Sequence, residues 1–189
     1  MAADLTRHAA WGATTIATPL GPLVVVASTD GIVAADVGVD YRRAVAELET
    51  RHDVAIRRDD RGLADVRAEA RAYFSPRPRP LASPVDLSIA RTPFRRRVYD
   101  ATIDVPFGEL RTYGDVAAAA GSPRAWRAAG HALRHCPVEL WIPCHRVVPS
   151  GPGLGTYGGR PDVRAFLLRL EGSLPPSRRG GRSAVRARG

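Results

Sequence analysis

Three prolines in five residues, within Ser75-Pro76-Arg77-Pro78-Arg79-Pro80, interrupt the chain just before its midpoint. Each fixes its own φ and removes a backbone N–H, so no helix can run through the segment. It reads as a surface loop leading to a domain junction. A chain of 189 residues is long enough for one ordinary domain or two small ones. The patterns on the two sides differ in kind.

Before the prolines, residues 13–37 read as a β-meander. Thr14-Thr15-Ile16-Ala17 is β-rich, and Pro19-Leu20-Gly21-Pro22 breaks it. Leu23-Val24-Val25-Val26-Ala27 is apolar throughout, the mark of a strand buried on both faces. Asp30-Gly31 is a hairpin turn, and Ile32 to Val37 returns. Tyr41, Val45 and Leu48 then fall at helical spacing, as do Leu63, Val66, Ala70, Tyr73 and Phe74. Val85, Leu87 and Ile89 alternate and predict one short strand. His8 and His52 have no companions at ligand spacing, so they read as solvated or packing residues, and no metal site is expected.

After the prolines the signals are helical. Thr92-Pro93 opens a helix, with Phe94, Val98 and Ala101 on its inner face. Arg95, Arg96 and Arg97 are either a solvated face or phosphate contacts. Thr112 with Asp115 makes a capping-box pattern, Val116 to Ala120 is helix, and Gly121 ends it. Ser122-Pro123 starts a second helix, from Arg124 to about His135. Two capped helices joined by a short, glycine-bearing link make a helix-turn-helix, although any small bundle contains such a pair. Val163, Phe166, Leu167 and Leu170 form a last apolar stripe, closed by Gly172.

The net charge is +9 with a pI near 10.8, which favours an acidic partner such as nucleic acid. Every basic residue is arginine; a G+C-rich genome would produce the same bias. The tail after Gly172 holds five arginines and no acid, leaving about +4 for the rest. Without apolar periodicity, residues 173–189 are expected to be disordered. Cys136 and Cys144 are the only cysteines, and with no disulfide framework a reducing cytoplasm is the expected setting. The first twelve residues lack the apolar core of a signal peptide, and no apolar run is long enough to cross a membrane.

One stretch carries chemistry: Trp141-Ile142-Pro143-Cys144-His145-Arg146-Val147-Val148. A lone cysteine in an apolar run is most often a small buried hydrophobe. Here an imidazole and a guanidinium follow at once, and such neighbours can lower a thiol pKa. Pro143 bends the chain just where the thiol stands.

The hexapeptide Pro143-Cys144-His145-Arg146-Val147-Val148 resembles the signature of the O6-alkylguanine-DNA alkyltransferases, also called methylated-DNA–protein-cysteine methyltransferases. Thr112-Tyr113-Gly114-Asp115-Val116-Ala117, Gly121-Ser122-Pro123, Gly155-Thr156-Tyr157-Gly158-Gly159 and Leu170-Glu171-Gly172 extend the likeness, with a weaker echo at Thr18 to Leu23. The resemblance implies an α+β fold. An N-terminal α/β, ribonuclease-H-like domain (1–87) would carry the β-meander. A mostly helical, winged-helix-like domain (88–172) would carry the helix-turn-helix. It implies a monomer that binds double-stranded DNA through the minor groove and flips out O6-alkylguanine or O4-alkylthymine. The alkyl group then passes to Cys144 in a single turnover that needs no cofactor. The resemblance makes His145 the base acting through a water, Glu171 its orienting acceptor, and Tyr113 the proton donor and guanine contact. Arg127 would enter the base stack, with Ala125 and Trp126 beside it on the DNA-facing helix. Val147, Val148, Tyr157, Gly158 and Gly159 would line the guanine pocket. The zinc site of some relatives is not implied, because no cysteine precedes Cys136.

Three positions depart from the family pattern: Cys136 where Asn is usual, Glu139 where an apolar residue or Pro is common, and Arg160 in place of a third glycine. A thiol cannot replace an amide's hydrogen bonds, so the turn carrying Cys144 is expected to be looser. Alternatives of other classes are a lesion-binding relative without a nucleophile, a helix-turn-helix regulator and a cysteine hydrolase. Cys144 argues against the first, Pro143-Cys144-His145 against the second, and adjacency of Cys and His against the third.

Overall fold

The computed structural model describes residues 11–175. Of the expected disordered tail, residues 176–189 lie outside the described residues.

The meander forms as expected. Strands β1 (Trp11–Thr18), β2 (Gly21–Ala27) and β3 (Ile32–Val37) pair antiparallel in sequence, with Thr14 opposite Val25. The apolar run in β2 is two-faced. Leu23 and Val25 pack into the main core, whereas Val24 and Val26 face a second cluster. Helix α1 (Tyr41–His52) covers that second face with Tyr41, Val45 and Leu48. Gly31 takes φ +144°, and a Cβ there would stand 2.6 Å from the Pro84 carbonyl oxygen, so the turn requires glycine. His52 packs beside Trp11, their ring centroids 5.2 Å apart.

Two elements differ from expectation. Strand β4 (Ile56–Arg58) adds to β1 in parallel, completing a sheet of order β3-β2-β1-β4. Three residues leave no periodicity to read. The strand expected over 85–89 shrinks to a single parallel bridge between Val85 and Ile32. Asp86 then accepts from the Ser88 N–H (2.9 Å) and turns Leu87–Ile89 into a 3₁₀ helix. Helix α2 (Ala64–Tyr73) packs under the sheet and sends Tyr73 into the core.

The second half is helical. Thr92 caps α3 (Pro93–Ile103) by accepting from the Arg95 N–H. Strand β5 (Arg111–Thr112) leads into α4 (Tyr113–Ala119), where both halves of the Thr112–Asp115 capping box are made. Gly121, at φ +73°, follows the end of α4. Helix α5 (Trp126–Arg134) begins two residues later than expected, because the Ser122 carbonyl, not its hydroxyl, closes the turn by accepting from the Ala125 N–H (2.8 Å). Strand β6 (Val147–Val148) pairs with β5, and α6 (Pro161–Leu170) closes the fold. One core runs through both halves, joining Leu23, Val25 and Tyr73 to Val98, Val116, Ile142 and Leu167. Among the described residues no helix is long and apolar enough to cross a membrane.

Candidate active site

The nucleophile candidate sits on a tethered turn. Residues 136–143 run from α5 to a 3₁₀ turn, Cys144–Arg146, whose first residue is 4% exposed. Leu140 adopts φ +74°, a left-handed conformation costly for a branched side chain. The first half of the chain holds that geometry. The Ala35 N–H donates to the Pro137 carbonyl (2.9 Å), and the Glu139 N–H returns to the Ala35 carbonyl (2.8 Å). Trp141 Nε1 donates to Glu69 Oε2 on α2 (3.0 Å). The turn is therefore fixed without the usual asparagine. The Cys136 thiol makes a long contact to the Val138 carbonyl, at 3.7 Å. The expected loosening is offset by β3 and α2.

Behind Cys144 the chain buries a polar cluster. His145 Nε2 lies 2.9 Å from Glu171 Oε1, and neither side chain is exposed. The Arg146 fork donates from Nε to Glu171 Oε2 (2.8 Å) and from Nη2 to Oε1 (3.0 Å), with Nη1 on the Val105 carbonyl (2.7 Å). Tyr73, from the first half, donates its hydroxyl to Glu171 Oε1 (2.6 Å). Burial would raise the Glu171 pKa, but hydrogen bonds from His145 and Arg146 prevail and pull it down to about 2. Burial lowers His145 against the opposing pull of Glu171, so the imidazole is neutral, with Nε2–H on the carboxylate. Its Nδ1 has no hydrogen-bond partner among the described residues.

The thiol does not follow the expectation of a lowered pKa. Burial pushes Cys144 well above its ordinary value, and the Cys136 thiol and Glu139 carboxylate push it further. Arg146 is committed to Glu171, and His145 is neutral. Neither supplies the positive charge that would stabilise a resting thiolate.

Cys144 opens into a cavity of about 250 Å³ whose walls include Tyr113, Gly130, Arg134, Cys136, Tyr157 and Gly158. Arg164, 1% exposed, donates Nη2 to the Tyr113 hydroxyl oxygen (3.3 Å), leaving that hydroxyl's own proton free to be donated. The Arg164 guanidinium also lies over the Tyr157 ring, 4.7 Å from its centroid. Tyr157 and Gly158 both take positive φ, so the loop bends sharply around the cavity. Gly159 follows in the same conformation but is not among the wall residues.

Val147 and Val148 stand elsewhere than expected. Val147 is fully buried, and neither residue lines the cavity. The pairing of β6 with β5, Thr112 opposite Val148, places the residue before Tyr113. Ala125, Trp126 and Arg127 lie at the start of α5 outside the cavity, with Arg127 stacked over the Trp126 ring at 4.6 Å. The two substituted rim residues meet: Arg160 Nη2 pairs with Glu139 Oε1. Both also clasp Val37 of β3, Arg160 Nη1 on its carbonyl (3.1 Å) and Glu139 Oε2 on its N–H (3.3 Å). Of the arginines on α3, Arg97 donates Nε to the Ala120 carbonyl at the end of α4.

Sequence reasoning missed Tyr73 and Arg164 as site residues. Arg164 was findable, since it shares a helical face with Leu168 and Glu171 at spacings of four and seven. Tyr73 was not, because its partner is 98 positions away.

The fold and the cavity together define a two-part protein with one buried thiol between a histidine–carboxylate pair and a helix-turn-helix. Comparison with known proteins agrees. Residues 93–173 match the family model described as 6-O-methylguanine DNA methyltransferase, DNA binding domain; residues 13–87 match that family's ribonuclease-like domain. The constitutive methylated-DNA–protein-cysteine methyltransferase of Bacillus subtilis is 34% identical over 163 residues, 84% of this chain and 93% of its own length. The Methanosarcina barkeri protein of that name is 32% identical over 82% of this chain and 94% of its own. Among solved structures, Mycobacterium tuberculosis OGT in complex with DNA superposes with a TM-score of 0.70, at 28% identity over 88% of this chain and 95% of that one. The chain belongs to the 6-O-methylguanine DNA methyltransferase family, enzymes that bind DNA and repair it by moving an alkyl group directly onto a protein cysteine.

Proposed function

We propose that Cys144 is the acceptor, that O6-alkylguanine flipped out of duplex DNA is the substrate, and that each protein molecule reacts once. The observation that carries this reading is the arrangement around Cys144. Two cysteines line the cavity beside the Arg164-held hydroxyl of Tyr113, and only Cys144 is followed by a histidine, His145, locked to Glu171.

A base inside a duplex is out of reach, so the lesion must be extruded; its spoiled pairing lowers the cost. The protein enters from the minor groove with α5, as a monomer, and Arg127 takes the place the base leaves. In the cavity the Cys144 proton passes through a water to His145 Nδ1, while Glu171 holds the Nε2 side and stabilises the imidazolium. The sulfur then attacks the saturated carbon on O6. A C–S bond forms, the C–O bond breaks, and guanine leaves with the electron pair as Tyr113 supplies a proton. O4-alkylthymine offers the same alkyl–oxygen bond and is a second substrate. Burial holds the thiol pKa high in the free protein, so the sulfur attacks only as the water and His145 take its proton. The product is a thioether, with no carbonyl for water to attack, so the protein is not regenerated.

Intact-protein mass after mixing with a duplex containing O6-methylguanine tests the reading. One added methyl per chain, absent in Cys144→Ala, is the expected result. Several turnovers per protein, or a methyl that persists in Cys144→Ala, would overturn it.

A further inference from the structure

Trp126 is one of only two large hydrophobic side chains exposed among the described residues, at 49%. It belongs to the first turn of α5, whose buried face is Ala129, Ala132 and Leu133. The core therefore has no use for this indole. Its place on the helix is informative. Positions 126, 130, 133 and 134 fall at i, i+4, i+7 and i+8, one stripe of a helix. Gly130, Leu133 and Arg134 of that stripe line the cavity that holds Cys144. Trp126 is the outermost member of the row leading to the thiol. The segment 116–138 around it contains Arg124, Arg127 and Arg134 and no acidic residue. The charge favours a polyanion, and a bare aromatic face among arginines suits one whose bases can stack.

Arg127 adds a second observation. Its guanidinium lies over the Trp126 ring, 4.6 Å from the centroid, so the indole is already occupied by a stacking partner in the free protein. An exposed cation–π contact is weaker than the stacking of a nucleobase on an indole. A base that reaches Trp126 displaces the guanidinium. We propose that Trp126 is a stacking platform for a DNA base at the mouth of the cavity, and that Arg127 is parked on it until that base arrives. The inference rests on the reading that α5 enters DNA. It gives Trp126 a specific role within that reading and adds an order of events: the indole captures a base, and Arg127 is released toward the duplex.

The test uses the full chain with a duplex carrying O6-methylguanine, comparing wild type, Trp126→Ala and Trp126→Phe. Duplex binding is expected to quench tryptophan fluorescence in the wild type, and most of that quench should vanish in Trp126→Phe. In single-turnover transfer, the duplex concentration for half-maximal rate should rise about tenfold in Trp126→Ala, in line with the loss of one base stack. Trp126→Phe, which keeps an aromatic face, should recover most of that loss, and the rate at saturating duplex should move much less than the affinity. Equal half-maximal concentrations in wild type and Trp126→Ala would overturn the proposal, as would a loss that phenylalanine does not recover. If the wild type gains no methyl at all, the transfer reading fails instead. The quench still reports whether the indole meets DNA.

Discussion

Behind Cys144, Glu171 takes hydrogen bonds from His145, Arg146 and Tyr73, and none of the charged side chains there is more than 8% exposed. At the rim, Trp126 and Arg127 stand in solvent, and the Arg160 of the Glu139–Arg160 pair is 37% exposed. The buried cluster is a closed set in which removal of one member strands the others. The rim is more open: water can replace a lost partner at Trp126 and Arg127, and can reach the Arg160 side of its pair with the mostly buried Glu139. Chemistry has been placed where geometry is fixed in advance, and recognition where side chains can move.

The largest expected break in this contrast is Glu171→Ala. It leaves the Arg146 guanidinium buried without its carboxylate, a loss of about 3–5 kcal/mol. Thermal unfolding should show a large fall in Tm together with loss of transfer; a Tm within a degree of wild type would mean the cluster is not the closed set described. Acid should act in the same direction and in two stages. The His145 pKa is lowered in the folded protein, so stability is intact above the ordinary value of 6.5 and declines as pH falls below it. Glu171, depressed to about 2, adds a second loss between about 4.5 and 2. Denaturant melts across pH should show both slopes. Stability that is flat from pH 7 to 3 would contradict them.

Tyr73→Phe is smaller. It removes one hydrogen bond to a charged acceptor and should cost about 1.5–3 kcal/mol. Because Tyr73 acts through Glu171, the pH dependence of transfer should shift as well as the Tm. A shift in Tm alone would make the phenol purely structural. Smallest is the rim pair. A double-mutant cycle of Glu139→Gln and Arg160→Gln should return a coupling of about 1–2 kcal/mol, above that of a fully exposed pair because Glu139 is only 14% exposed, and below that of the buried cluster because Arg160 is 37% exposed. A coupling near that of the buried cluster would erase the distinction between the two regions.

The same division governs what could be read from the chain. Local patterns were legible: the two-faced run at Leu23–Ala27, the Thr112–Asp115 box and the Gly121 stop all depend on neighbours a few residues apart. The start of α5 was misread because Ser122 offered a side-chain cap that its carbonyl supplanted. Within the site, Cys144 and His145 stood out from their own pattern, their roles and Glu171 came from the family resemblance, and the structure brings His145 and Glu171 into contact. The Glu139–Arg160 pair was seen only as two separate departures, because their meeting on Val37 is a tertiary event. The thiol pKa was misjudged for a similar reason. Sequence shows that an imidazole and a guanidinium are adjacent, but not that the thiol is buried and that Glu171 already holds both cationic candidates.

Tyr73 has a consequence for recombination. Its hydroxyl crosses from the helix under the first sheet to a carboxylate near the far end of the chain, so the seam near residue 90 separates two lengths of polypeptide but not two sets of working parts. A chimaera joining this first half to another protein's DNA-binding half would transplant an active-site hydrogen bond along with the sheet. Such a hybrid would have to match position 73, and with it Ala35 and Glu69, which hold the Cys144 turn, all well away from the splice.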